Sequence, residues 1–215
     1  LFLQRKLGLD PLFRFGAGKP VPLPGPGDLD LCGGVDDDDF LEFPDPEETG
    51  ATLEENAILK ARAIAEFADL PALADDSGLE VAALDGAPGV FSSRYAGENV
   101  TYRDNYLKLI ETLKGVPKEK RNARFRCVIA VVWQDGSVEA VEGAADGYIT
   151  EDVAGDQGFG YDPVFIPDGY SRTFGELGLG AKGKISHRSL ALRQVLHYLA
   201  NRVPGPLFDL PTTRD

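Results

Sequence analysis

The chain has 215 residues, 43% of them apolar, which suits one good-sized domain or two closely joined lobes. No apolar run approaches the roughly 18 residues that span a bilayer, and Leu1–Lys6 is too short for a signal peptide, so a membrane protein is not expected. The net charge of −13 argues against a nucleic-acid partner, which needs a basic footprint.

The two cysteines, Cys32 and Cys127, lie far apart with no CxxC. That excludes a disulfide or zinc-finger framework and suggests a reducing, cytoplasmic setting. The charge is uneven. Residues 28–55 carry −12, residues 1–27 carry +3 and residues 56–215 carry −4.

In chain order, residues 11–34 hold five Pro and six Gly, a density that defeats helix and strand. The acidic run Asp36–Asp39 reads as a solvated arm. Thr52-Leu53-Glu54-Glu55 is a capping box, and Ala57, Ala61, Ile64, Ala65 and Ala68 continue it as an amphipathic helix over 53–69. Pro71 to Asp75 reads as a short apolar strand ending in acids. Thr101 and Asp104 cap a second helix, with Tyr106, Leu109, Ile110 and Leu113 on one face and Gly115 at its end.

Residues 123–133 and 137–149 are β-rich runs, and Gln134-Asp135-Gly136 between them predicts a hairpin. A strand is expected over Tyr161–Ile166. Ser186 caps a last helix whose Leu192, Val195, Leu196 and Leu199 form the buried stripe. Residues 203–215 read as a loose tail. Three segments follow: an atypical 1–45, a domain over 46–202 and a tail over 203–215. The element order is that of a mixed α/β protein.

Four stretches could carry chemistry. Ala74-Asp75-Asp76-Ser77-Gly78 presents carboxylates suited to Mg²⁺, although the same residues suit a polar turn. Glu47-Glu48 precedes a helix, where acids favour the dipole, and would bind metal only with Asp76 nearby. In Gly158-Phe159-Gly160-Tyr161-Asp162-Pro163, Phe159 or Tyr161 could stack on a flat ring, or simply begin a hydrophobic strand. Lys182-Gly183-Lys184-Ile185-Ser186-His187-Arg188 reads as a basic turn entering a helix N-terminus, where a phosphate would bind. An exposed basic turn is the plainer alternative. His197, in mid-helix, reads as structural. Together these are parts for a nucleoside triphosphate site, without the GxxxxGK[ST] of a P-loop.

In unbroken order over about residues 46–202, five stretches resemble the inosine triphosphate pyrophosphatase family, the house-cleaning enzymes that hydrolyse dITP, ITP and XTP. They are Glu47–Thr52 with Glu55–Ala61, Leu73–Leu79, Ala87–Val90 with Ser93–Gly97, Gly158–Pro163, and Lys182 with Ile185–Arg188. The resemblance implies an elongated mixed β-sheet flanked by helices, two lobes with a central cleft, and a homodimer. It implies Mg²⁺-dependent cleavage to a nucleoside monophosphate and pyrophosphate. Asp76 then corresponds to the catalytic acid and metal ligand, and Glu48 to the second metal carboxylate. Ser77, Phe159, Gly160, Tyr161, Asp162, Lys182, His187 and Arg188 correspond to substrate contacts.

The family opens with an apolar strand and a [ST]-x-N-x-x-K phosphate loop. Here Phe15-Gly16-Ala17-Gly18-Lys19 stands at that spacing, without hydroxyl or amide. Because that strand and loop are missing, residues 1–43 are not expected to be the family's ordinary N-terminus; the chain also begins with Leu and has no Met, so Leu1 is not expected to be a native start. Two other readings compete: a catalytically impaired nucleotide-binding protein lacking that loop, and a single-stranded nucleic-acid binder using Lys118, Lys120, Arg121, Arg124 and Arg126.

Overall fold

In the computed structural model, residue 44 and residues 46–202 are described; the expectations for residues 1–43 and 203–215 lie outside them. Helix α1 (Leu53–Ala68) starts where the capping box places it. Thr52 Oγ accepts from Glu55 N at 3.1 Å, and the Glu55 carboxylate accepts from Ala51 N at 2.6 Å. Strand β1 (Ala72–Val81) follows, then the two-residue β2 (Pro88–Gly89). Helix α2 (Tyr102–Thr112) has the full Thr101/Asp104 capping box. The long strands β3 (Asn122–Val132) and β4 (Val138–Ile149) form the expected hairpin, in register from Val132↔Val138 to Asn122↔Tyr148. Strand β5 (Phe165–Pro167) and helices α3 (Phe174–Ile185) and α4 (His187–Arg202) complete the order.

The five strands run β2-β1-β3-β4-β5, with every pairing antiparallel. Strand alternation assigns the faces. On one face Leu53, Ala57 and Ala61 of α1 cover Ala74, Val128, Ala130 and Val132. On the other, Ala191 and Val195 of α4 cover Cys127, Ile129 and Val131. Further along, Leu79, Val81, Phe125 and Ile149 pack with Leu109 and Leu113 of α2 and with Val164, Phe165 and Phe174. The fold is thus mixed α/β, one antiparallel sheet with helices packed on both faces.

The structure corrects several local expectations. Strand β1 does not end at the acids but runs through them to Val81, because Ala72–Val81 pairs continuously with Val132–Ala123 of β3. Residues 162–164 form a 3-10 turn before the short β5, where Pro163 follows a left-handed Gly160 (φ 62°). Helix α3 was not anticipated, since Gly175, Gly178, Gly180 and Gly183 lower its propensity, and Gly178 (φ 72°) interrupts it. Of the expected stripe, Val195 is buried and Leu192 and Leu199 pack partly buried beside it, but Leu196 is exposed and Ala191 takes a core place. His197 is exposed and bonded to Asn201, so it has no core role. Arg124 and Arg126 stand on a wet sheet face, paired with Asp146 and with Glu80 and Glu142. Their charge is spent within the sheet.

Helix α4 lies so close to β4 that a side chain at Gly143 would collide with His187 O and Ala191 N, both backbone atoms. Neither can move without shifting the helix. Gly143→Ala therefore destabilises by about 3 kcal/mol. Thermal unfolding should show Tm falling by about 6–12 °C; a shift below 2 °C would mean that α4 is not held this closely.

Candidate active site

Consecutive residues of a strand point to opposite faces, so β1 divides Asp75-Asp76-Ser77 between them. Asp76 faces α1. Its Oδ1 lies 2.8 Å from Lys60 Nζ, and its Oδ2 accepts from Asn56 Nδ2 at 3.3 Å. Asn56 and Lys60 are four residues apart and share one face of α1. Lys60 Nζ is also 3.0 Å from Glu48 Oε1, so one ammonium bridges two carboxylates. Glu48 Oε2 in turn lies 3.4 Å from Arg94 Nη1. Asn56 Oδ1 accepts from Gly50 N at 2.8 Å, which ties the Glu48 segment to the start of α1.

Burial raises the Asp76 carboxyl above its ordinary value, more than Lys60 lowers it. The Lys60 ammonium loses by burial but gains more from Asp76 and Glu48, and ends above its usual value. The pair is thus a proton-holding unit poised by its surroundings. It also brings two carboxylates onto one positive charge, and carboxylate oxygens are the donors that hard divalent cations take. Glu48 and Asp76, far apart in the sequence, are brought together as the metal reading required.

The opposite face carries a second ion pair. Arg188 donates to Asp75 Oδ2 through Nε at 3.0 Å and Nη2 at 2.6 Å, and to Ser77 Oγ at 3.3 Å. Ser77 thus sits with Arg188 rather than beside Asp76. Cys127 Sγ is 3.7 Å from the same Asp75 oxygen. Burial and Asp75 push its thiol up to about 12, so it is no nucleophile.

The glycine-aromatic turn is built from within. Gly158 has φ 83°, and a side chain there would strike the Asp162 carboxylate. With glycine in place, that carboxylate accepts from Phe159 N at 2.8 Å and pairs with Lys182. Burial raises Asp162 and lowers Lys182, each opposed by the other's charge. Lys182 Nζ stands 4.1 Å from the Phe159 ring centroid and the Arg188 guanidinium 5.5 Å.

Of the two aromatics expected to stack on a ring, only Phe159 is exposed, at 36%. Tyr161 is buried in the core, and its hydroxyl donates to Ser92 O at 2.9 Å. The expectation for Tyr161 is corrected on that ground. Its neighbour Asp162 is likewise turned inward, while Gly160 faces open space.

The basic run also needs correction. Lys182 and Lys184 occupy the last turn of α3, where cations suit the helix dipole, and carry no cost that a phosphate must explain. Only His187 and Arg188 open α4. His187 is buried, stacked on Phe125 at 4.6 Å, and its Nδ1 has no hydrogen-bond partner among the described residues. Burial, and then the charges of Arg188 and Lys182, hold its imidazole well below the ordinary histidine value.

Lys60, Asn56 and Arg94 were not singled out as site residues, and Asp75, expected as a metal carboxylate, pairs with Arg188 instead. Lys60 was legible in part: its spacing from Asn56, just after the Thr52–Glu55 capping box, marks a polar stripe on an otherwise Ala-rich face.

Two measurements follow. Asp75→Asn leaves Arg188 buried without its counter-charge, so denaturant unfolding should show a loss of about 3 kcal/mol; an unchanged midpoint would show that the pair is not needed. His187 must stay neutral when folded, while the unfolded chain takes up a proton near pH 6.5. Its contribution is intact above that value and is lost as pH falls below it, with a slope near 1.4 kcal/mol per pH unit. The stability difference between wild type and His187→Gln, compared at pH 7.5 and 5.5, should carry this slope.

Residues 30–198 match the model of the Ham1 family. A dITP/XTP pyrophosphatase from Desulforamulus reducens is 49% identical over 161 residues, covering 75% of this chain and 80% of that protein. One from Rhodospirillum centenum is 52% identical over 157 residues, covering 73% and 77%. A HAM1 protein structure from Coxiella burnetii superposes with a TM-score of 0.70 at 46% identity, covering 74% of this chain and 82% of that one. By motif order, site geometry and these likenesses, the chain belongs to the Ham1 family.

Proposed function

We propose that the chain is a nucleoside triphosphate pyrophosphatase that hydrolyses dITP, ITP and XTP to the monophosphate and pyrophosphate, with Mg²⁺ as cofactor. Its relatives' name, dITP/XTP pyrophosphatase, supports the substrate class. The observation that carries the reading is the convergence of Glu48 and Asp76 on the Lys60 ammonium. A buried carboxylate and a partly exposed one that already share one cation fit a second, divalent one.

Glu48 and Asp76 would hold the metal. When bound, Mg²⁺ supplies neutralisation of phosphate charge and a lowered pKa for a nearby water. The rest falls to the protein. Asp76, whose affinity for a proton is raised by burial, accepts the proton of the attacking water. Lys60 keeps its charge and offsets the negative charge of the phosphates. Phosphoryl transfer needs little else beyond positioning.

The base lies against the exposed Phe159, next to Lys182 and Arg188. The Arg188 guanidinium only donates, and Asp75 holds it in place. It therefore donates to a 6-keto oxygen and rejects the 6-amino group of adenine, which would leave donor facing donor.

Asp76→Asn should lower pyrophosphate release from dITP by about 10³-fold, with thermal unfolding checking that the variant is folded at the assay temperature. The same assay with ITP, XTP and ATP, with and without Mg²⁺, should show the keto purines hydrolysed and ATP spared. Near-normal turnover in Asp76→Asn would refute the assignment of the base. Wild type that binds ITP but releases no pyrophosphate would favour the impaired nucleotide-binding protein.

A further inference from the structure

The short segment after β2 holds Ser92–Arg94 in a single 3-10 turn, and its construction exceeds what a surface turn needs. Ser92 Oγ accepts from Leu79 N at 2.9 Å and donates to Gly89 O at 2.6 Å. Ser92 O accepts the buried Tyr161 hydroxyl. Asn105, 2% exposed, donates to Ser93 O at 2.9 Å and accepts from Ala96 N at 2.7 Å. Lys108 donates to Tyr95 O at 2.6 Å. Strand β1, helix α2 and the glycine-aromatic turn all anchor this one segment.

What it presents is Arg94. The guanidinium lies 5.2 Å from the Phe91 ring centroid. Among the described residues it makes one hydrogen bond, to Glu48 at 3.4 Å. That is long for a charge-assisted contact, which is normally about 2.7–2.9 Å. Three arginines of the interior and the sheet are better satisfied. Arg126 makes three contacts to two carboxylates, Arg188 makes two to Asp75 and one to Ser77, and Arg121 donates to three backbone carbonyls. A guanidinium has five donors, so Arg94 has most of its capacity unspent. An exposed ion pair is worth about 1 kcal/mol or less, too little to account for so heavily anchored a turn.

We propose that Arg94 is a further substrate-binding residue whose ligand is the polyphosphate chain. It flanks one side of Glu48, with Lys60 on the other, and the two cations stand on the two oxygens of one carboxylate. A phosphate chain held at that carboxylate lies within reach of both, and the forked guanidinium suits phosphate oxygens. The Tyr161–Ser92 bond ties this arm to the turn that carries Phe159. The inference rests on the proposed triphosphate reading.

The test is direct binding, by calorimetry, of inorganic tripolyphosphate with Mg²⁺ and, separately, of inosine. Wild type, Arg94→Met and Arg94→Lys are compared, with thermal unfolding as a check on folding. Arg94→Met should weaken tripolyphosphate about ten- to hundredfold and leave inosine within twofold, and Arg94→Lys should recover part of the loss. Tripolyphosphate binding within twofold of wild type would overturn the proposal. So would a loss accounted for wholly by weaker Mg²⁺ binding, since Arg94 would then only orient Glu48. Pyrophosphate release from dITP by wild type, measured alongside, reports on the enzymatic reading independently.

Discussion

Two adjacent carboxylates on one buried strand cannot share a counter-ion, because the strand points them to opposite faces. Each must find its own cation, and the rest of the site follows from how they do so. Asp76 takes Lys60 from α1, which also draws in Glu48 from the segment before that helix. Asp75 takes Arg188 from the first turn of α4. The two helices that cover the sheet are thus each tied to it by an ion pair at the same point. Where a buried pair contributes little net stability, it still specifies geometry, since misplacing either partner leaves a buried charge.

That division also separates the chemistry. The α1 face gathers acids and Lys60, suited to a metal and to proton transfer. The α4 face gathers Arg188, Lys182 and Phe159, suited to a flat ring with a keto oxygen. Strand β1 joins the two, so a ligand touching both sides spans it. Tyr161 belongs to neither face. It joins the turn of Phe159 to the turn of Arg94 from within the core.

Much of this was legible in the residues. The capping boxes at Thr52 and Thr101 marked helix starts, and the β3–β4 hairpin followed from its alternation and Asp135-Gly136 turn. What was not legible has physical reasons. A strand running through Asp75-Asp76 looks like a strand that stops, because the compensating cations come from residues 60 and 188. Helix α3 hid behind four glycines, although Thr173-Phe174-Gly175-Glu176 carries the same capping signature as the others. Missing it turned Lys182 into a helix-start cation. Tyr161 looked like a stacking ring because alternation alone cannot say which of two aromatics flanking a glycine is buried.

The central claim is that the carboxylates now sharing Lys60 are a divalent-cation site. Titration of Mn²⁺, a paramagnetic stand-in for Mg²⁺, followed by electron paramagnetic resonance tests this without any substrate. The account predicts that wild type binds Mn²⁺ and that Glu48→Gln weakens it at least about tenfold, the loss of one of two carboxylate ligands. Equal binding by the two proteins would contradict it.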